Sequence, residues 1–375
     1  MTERHFDVIV AGVGAMGSAT CLQLARRGKR VLGLERFGIP NTMGSSHGAT
    51  RIIRLAYAEG SAYVPLLRRA YELWRELETA AGEQLLWTTG YVDVGAELVE
   101  PSLASCREHG LEHELVDGRE LGRRHPGFQV EADAPALLQP DGGFVLSERC
   151  VAAQAEQASA LGAELHEHER VVGWEDTGRG VRVETEHAAY AAERLVVAAG
   201  AWAPEVARIP PRLVVAERQA LAWFEPLEPG LFAPERFPCF GLVDEEGLFY
   251  GFPDFDGAGV KVGRFHHRHE QVDPDAFRRE PEPADEAVLR RFVERRLPRA
   301  AGRSNALVTC LFELSPDEHF LIDLHHDSEA VVVAAGFSGH GFKFASVVGE
   351  ILADLALDGA TRHEIGFLGL ARFDG

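Results

Sequence analysis

The chain has 375 residues, 46% of them hydrophobic and 26% charged, with 38 Lys and Arg against 58 Asp and Glu for a formal charge of −20. That length exceeds what one hydrophobic core usually serves, so two domains are expected, and the composition excludes disordered and collagen-like classes. The acidic balance argues against nucleic acid and anionic membrane as partners, and no apolar run is long enough for a membrane helix.

The segment from Met1 to the first strand at Asp7 leaves no room for a signal peptide, and the last residues, Phe373-Asp374-Gly375, form no recognised address. Five cysteines (Cys21, Cys106, Cys150, Cys239 and Cys310) lack C-x-x-C pairing. Such a set suits a reducing cytoplasm better than a disulfide framework or a zinc ribbon.

Asp7-Val8-Ile9-Val10-Ala11 reads as a buried parallel strand running into Gly12, Gly14 and Gly17 at G-x-G-x-x-G spacing, and a small-residue helix follows. Gly12 lets the chain turn, Gly14 lets the backbone approach a pyrophosphate, and Gly17 lets helix and strand pack closely. A second strand, Val31-Leu32-Gly33-Leu34, ends in Glu35, where a carboxylate would meet the ribose of an adenosine. A dinucleotide is therefore expected; this unit alone leaves FAD and NAD both open.

Residues 36–54 are small and turn-forming up to Thr50 and carry Arg51 and Arg54, which suggests a long functional loop or a broken helix start. On one helical turn the two arginines, three apart, would project to the same side. Apolar residues at helical spacing predict a packed helix from Tyr63 to Ala80. Residues 85 to 146 read as short strands of a second domain, 151–161 as a helix, and Val171 to Thr185 as a meander. Leu195 to Val197 reads as a buried strand turning at Gly200.

Residues 214–263 alternate as an antiparallel sheet should, and 275–297 reads as mostly helical. His266-His267-Arg268-His269 has no acid or cysteine at ligand spacing, so no metal is expected and a solvated loop is the simpler reading. Val331 to Ala335 forms a strand that enters a glycine-rich turn and a helix, 346–357, ended by Gly359.

Four blocks now stand together: Ala11 to Gly17; Ser46-His47-Gly48-Ala49-Thr50-Arg51-Ile52-Ile53-Arg54; Thr309-Cys310 through Pro316-Asp317-Glu318-His319-Phe320; and Gly336-Phe337-Ser338-Gly339-His340-Gly341-Phe342-Lys343-Phe344. In this order they resemble the monomeric sarcosine oxidase and N-methyltryptophan oxidase family of flavoproteins. The resemblance implies an α/β fold: a Rossmann-like FAD-binding domain (1–85, 147–213 and 305–375) and a discontinuous antiparallel-sheet substrate domain (86–146 and 214–304).

It further implies that FAD is joined covalently through Cys310, which alone would read as an ordinary buried thiol. FAD would lie along Gly12, Gly14, Gly17, Glu35, Arg36, Val171, Gly200, Gly339 and Gly341. Arg51, with Thr50 and His47, would sit beside the flavin ring. Arg54 and Lys343 would clamp a substrate carboxylate, a pairing that suits a planar guanidinium and a point charge. Lys261 would assist reaction with O2, and Tyr250 and His340 would line the substrate pocket.

The implied reaction oxidises a secondary amino acid to an imine, which hydrolyses to formaldehyde and the demethylated amino acid while O2 becomes H2O2, in a monomer. Two positions depart from the family pattern: Phe312 replaces a tyrosine and Phe265 a histidine. His266 is a candidate replacement for that histidine. Oxidases of pipecolate, N-methyltryptophan or fructosyl amino acids are alternatives, as is an NAD-dependent dehydrogenase.

Overall fold

The computed structural model describes residues 4–373, so Met1, Thr2, Glu3, Asp374 and Gly375, used in reading the chain ends, lie outside the described residues. The first strand, Arg4–Ala11, is central to an eight-stranded sheet. It pairs in parallel with Val31–Leu34 on one side and Ala189–Val197 on the other. Val8, Ile9 and Val10 are fully buried, as a strand covered on both faces requires. Ser328–Ala335 continues the parallel order beside Leu195–Val197, and the meander 171–185 adds antiparallel strands.

The helix Ala15–Arg26 is sandwiched with Ser147–Ala160 and Ala345–Asp358 over this sheet. Its close approach is set by glycine. Gly12 has φ +92°, and a Cβ on Gly17 would lie 1.8 Å from the Gly12 carbonyl oxygen, so neither position accepts a side chain. The amphipathic helix spans Val64–Ala81 and ends at Gly82 in the left-handed region.

A nine-stranded sheet forms the second layer system. Val215–Phe224 pairs antiparallel with Val260–Arg264 and Ser304–Leu314, and the order runs on through 247–252, 239–244, 91–94, 135–139 and 114–117. Phe237, Phe240, Phe249 and Phe292 pack between this sheet and the helix Pro283–Arg296. The strand Ser304–Leu314, expected from residue 305 onward to belong to the cofactor domain, hydrogen-bonds along its length to Val215–Phe224. It thereby carries Cys310 into the second sheet.

Three local expectations are corrected. Residues 85–146 hold two helices among their strands, Ala96–His109 and Gly118–Arg124; Pro101 inside the first obscures its periodicity. Thr50–Ile53 is a strand paired with Gly143–Leu146, as its β-branched Thr50, Ile52 and Ile53 favour, so Arg51 and Arg54 do not share a helical turn. The histidine run is only partly solvated: Arg268 and His269 are exposed, but His267 is fully buried and meets Asp285 at 3.1 Å, in a carboxylate site shared with Arg218.

Candidate active site

The C-terminal ends of the parallel strands open into a cleft enclosing about 1370 Å³ of space that reaches solvent. Gly12, Gly14, Glu35, Arg36, Val171, Gly200, Gly339 and Gly341 all line it, as does Arg51. Gly17 does not; its role is helix packing. A Cβ built on Gly14 would meet only Ser46 Oγ, at 3.7 Å, so the missing side chain there leaves open cleft rather than relieving a clash. Buried Glu35 accepts hydrogen bonds from the Val13 and Phe37 amides at 2.8 and 2.9 Å. Burial raises its pKa while these amides pull it down. A glycine turn at a helix N-terminus, a carboxylate at the next strand end and open space between them fit an extended dinucleotide.

Beyond Arg51 the residues converge on two centres. The first surrounds Cys310, which is 3% exposed and packs with Leu221, Trp223 and Tyr250. Burial raises the thiol pKa, and the charges of Arg51 and Lys261 oppose that rise. Lys261 is buried in the second sheet and donates to the Gly48 and Thr50 carbonyls, both at 2.7 Å, and to Thr50 Oγ1 at 3.1 Å. Burial holds its pKa well below the usual lysine value, and Arg51 adds to that effect. Arg51 itself donates to the Thr50 and Ser45 carbonyls at 2.8 Å and to that of His47. His47 is neutral at pH 7, brought to about 4 by burial and then by Arg51, and among the described residues its Nε2 has no partner.

The second centre is built on Tyr57. The Arg54 guanidinium lies 4.8 Å from the Tyr57 ring centre and the Lys343 ammonium 5.1 Å, so strand end and glycine-rich turn deliver two cations to one ring. Arg54 donates to Ala56 O at 2.6 Å and to both Glu59 carboxylate oxygens, at 3.0 and 2.8 Å. Lys343 donates to His340 O at 2.9 Å, and burial lowers its pKa to about 7. His340, brought by burial to about 4, lies 2.6 Å from the Tyr57 hydroxyl through Nδ1 and 2.9 Å from the Glu318 carbonyl through Nε2. That carbonyl can only accept, so Nε2 carries the proton and Nδ1 accepts from tyrosine.

Neither Glu59 nor Tyr57 was anticipated from sequence. Both stand in a short loop with no periodicity, and only the spacing of Glu59 five residues after Arg54 hints at the pair. Behind Arg54, buried Asp93 accepts from the Tyr91 hydroxyl at 3.0 Å and from Gln139 at 3.1 Å, with its pKa raised by burial to about 6. His266 does not reach the cleft. Its ring bridges Glu217 at 2.9 Å and Glu318 at 3.1 Å, and those carboxylates raise its pKa to about 9. Phe265 and Phe312 face each other with ring centres 5.4 Å apart, and Phe312 lines the cleft.

Known proteins are similar to this chain along its whole length. The chain is 41% identical over 381 residues to a monomeric sarcosine oxidase of a Bacillus species, covering 99% of this chain and 97% of the relative. It is 42% identical over 369 residues to a monomeric sarcosine oxidase of Streptomyces avermitilis, covering 96% of each. The solved structure of NikD, an unusual amino acid oxidase essential for nikkomycin biosynthesis, superposes with a TM-score of 0.85 at 28% identity, over 98% of this chain and 97% of that one. Residues 7–355 match the family described as FAD dependent oxidoreductase, and the chain belongs to it and, within it, to the group of the monomeric sarcosine and N-methyl-L-tryptophan oxidases.

Proposed function

We propose that this chain is an FAD-dependent oxidase of secondary amino acids, with sarcosine or another N-methyl amino acid as substrate. The observation that carries the reading is the pair of cations on Tyr57: Arg54 and Lys343 with a carboxylate, Glu59, already against Arg54. A substrate carboxylate would take that place. Bound FAD supplies the acceptor for the electrons and hydrogen leaving the carbon next to nitrogen, and passes the electrons to O2 to give H2O2.

The protein's part is binding and electrostatics. Arg54 and Lys343 fix the carboxylate and so aim the amine toward the cleft. Arg51, Lys261, Arg54 and Lys343 also raise the local positive potential, which favours a neutral over a protonated amine and so exposes its lone pair. Buried Lys261, packed 4.2 Å from the Phe252 ring centre, would stabilise negative charge developing on oxygen. Cys310, on the strand that passes the cleft, would tether the flavin end, with Thr50, His47, Tyr250 and His340 completing the walls. Imine formed in the site would leave and hydrolyse in water to formaldehyde and the demethylated amino acid.

The eight-stranded sheet serves as the cofactor unit and the nine-stranded sheet as the substrate unit, with 304–314 in the latter. A reducing cytoplasm suits five unpaired buried cysteines, and the likeness to relatives named monomeric sarcosine oxidase supports a monomer; among the described residues no helix is long and apolar enough to cross a membrane. Purified protein should be yellow and should release H2O2 with sarcosine or a larger N-methyl amino acid. Colourless protein, or yellow protein giving no peroxide with any N-methyl or cyclic amino acid, would overturn the reading.

A further inference from the structure

Glu313 is a carboxyl in an unusual place. It is 7% exposed, lines the cofactor cleft and stands three residues after Cys310 on the same strand. Across the sheet it is paired with Ala216, and its Oε2 lies 3.7 Å from where a side chain on Gly200 would begin. Its backbone carbonyl accepts from Ser338 N at 2.9 Å, which fixes this strand to the turn after Ala335. Among the described residues Oε2 has no hydrogen-bond partner. Buried polar atoms without partners are rare in folded chains and cost stability, so such an atom calls for an explanation.

The neighbours identify what is missing. Ala216, Gly200 and the turn Gly336-Phe337-Ser338 carry no charge, and among the described residues no charged group acts on the Glu313 carboxyl. Burial raises its pKa to about 8, against a smaller pull from the Gly336 and Phe337 amides. The group is therefore a neutral acid at pH 7, one O–H donor with no acceptor. The cleft passes the strand ends in the order Val31–Leu34, Arg4–Ala11, Ala189–Val197 and Ser328–Ala335. A dinucleotide with its ribose at Glu35 and its pyrophosphate near Gly12 and Gly14 would pass Gly200 and Glu313, which line the same cleft, toward the strand that carries Cys310.

We propose that the Glu313 carboxyl is a hydrogen-bond donor to an oxygen of the cofactor section linking adenosine to the flavin ring, pyrophosphate or polyol. The proposal rests on FAD being the dinucleotide. An ionised Glu313 would face those oxygens as a second acceptor, and beside a pyrophosphate as a like charge, so cofactor binding requires its proton.

The test uses the full-length Cys310→Ala protein, stripped of cofactor and titrated with FAD by flavin fluorescence from pH 6.5 to 9.5. FAD affinity should be level up to the pKa of Glu313, near 8, and fall about tenfold per pH unit above it. Adding Glu313→Gln keeps a neutral donor and should flatten the profile, with affinity at pH 7 within about threefold of the parent. Adding Glu313→Leu removes the donor and should weaken binding at pH 7 about tenfold, also without the fall above 8. A pH profile unchanged by Glu313→Gln overturns the proposal while leaving the FAD reading intact. Failure of the parent to bind FAD at any pH overturns both.

Discussion

Replacing Glu59 by Gln asks whether Arg54 and Lys343 form a carboxylate site that the chain itself fills when substrate is absent. Arg54 donates to both Glu59 oxygens at 3.0 and 2.8 Å. Burial pushes the Glu59 pKa up, but Arg54, then His340 and Lys343, outweigh burial and hold it at about 2 instead of 4.5. At 1.36 kcal/mol per tenfold that is worth ~3 kcal/mol before screening. Glu59 is 31% exposed, so solvent reduces the figure to ~1–2 kcal/mol. An incoming carboxylate must displace this interaction, so Glu59→Gln should tighten binding of a plain carboxylate such as acetate about tenfold. The variant should also lose ~1–3 kcal/mol of stability, because Arg54 is only 5% exposed and would lack its counter-charge. The assay pairs the inhibition constant of acetate with thermal unfolding. Saturating acetate should raise the melting temperature of the variant more than that of the parent. A folded Glu59→Gln protein that binds acetate no better than the parent would show that Glu59 and ligand do not compete for Arg54.

Acetate binding should also depend on pH through Lys343. Its pKa, lowered by burial to about 7, means the free site loses its charge as pH rises, so the inhibition constant should climb about tenfold per unit above pH 7. His340 at about 4, Glu59 at about 2 and Asp93 at about 6 titrate below that window, and a profile that stays level in the parent would show Lys343 is not a carboxylate ligand. Cys310→Ser should move the yellow colour from the acid-precipitated pellet to the supernatant; a parent whose pellet is already colourless would mean Cys310 is only a core residue. Gly17→Ala places a methyl 1.8 Å from the Gly12 carbonyl oxygen and should cost ~3 kcal/mol or more, read as little soluble protein or a large fall in melting temperature. Near-parental stability would mean the turn can open without penalty.

The parts legible in the sequence are those where one short stretch contains its own cause. Val8, Ile9 and Val10 announce a buried strand, and within the turn Gly12 is required by its own positive φ and Gly17 by its contact with the Gly12 carbonyl. Long-range pairs are different. Arg218 and Asp285 lie 67 residues apart and meet at 2.7 Å, and Lys261 reaches the Thr50 carbonyl from 211 residues away. Neither side of such a pair looks unusual alone. Arg51 and Arg54 misled because a three-residue spacing is meaningful only if the backbone is helical, and pairing with Gly143–Leu146 makes it a strand. Glu313 was invisible because an acid among Leu311, Phe312 and Leu314 reads as the solvent side of an edge strand. Only its 7% exposure and the approach of Gly200 to its carboxyl show it is enclosed.

The two departures from the family pattern acquire a shared meaning once the site is assembled. Phe312 packs directly on Gly339, where a Cβ would lie 2.4 Å from its ring, and its ring centre lies 5.4 Å from that of Phe265. Where a tyrosine and a histidine were expected, this wall offers no hydrogen-bond donor or acceptor from either side chain. The carboxylate end of the site, on Arg54 and Lys343, is by contrast rich in charge. Under the proposed reading, a substrate would be held strongly at one end and only by shape at the other. A pocket that reads an apolar group by shape separates neighbours by about 1–3 kcal/mol per methylene, far less than a wall with a buried polar group left unpaired by the wrong ligand. Under that reading the carboxylate would fix which class of compound binds, and the Phe265 and Phe312 pair would make selection among N-substituents and side chains within that class gradual.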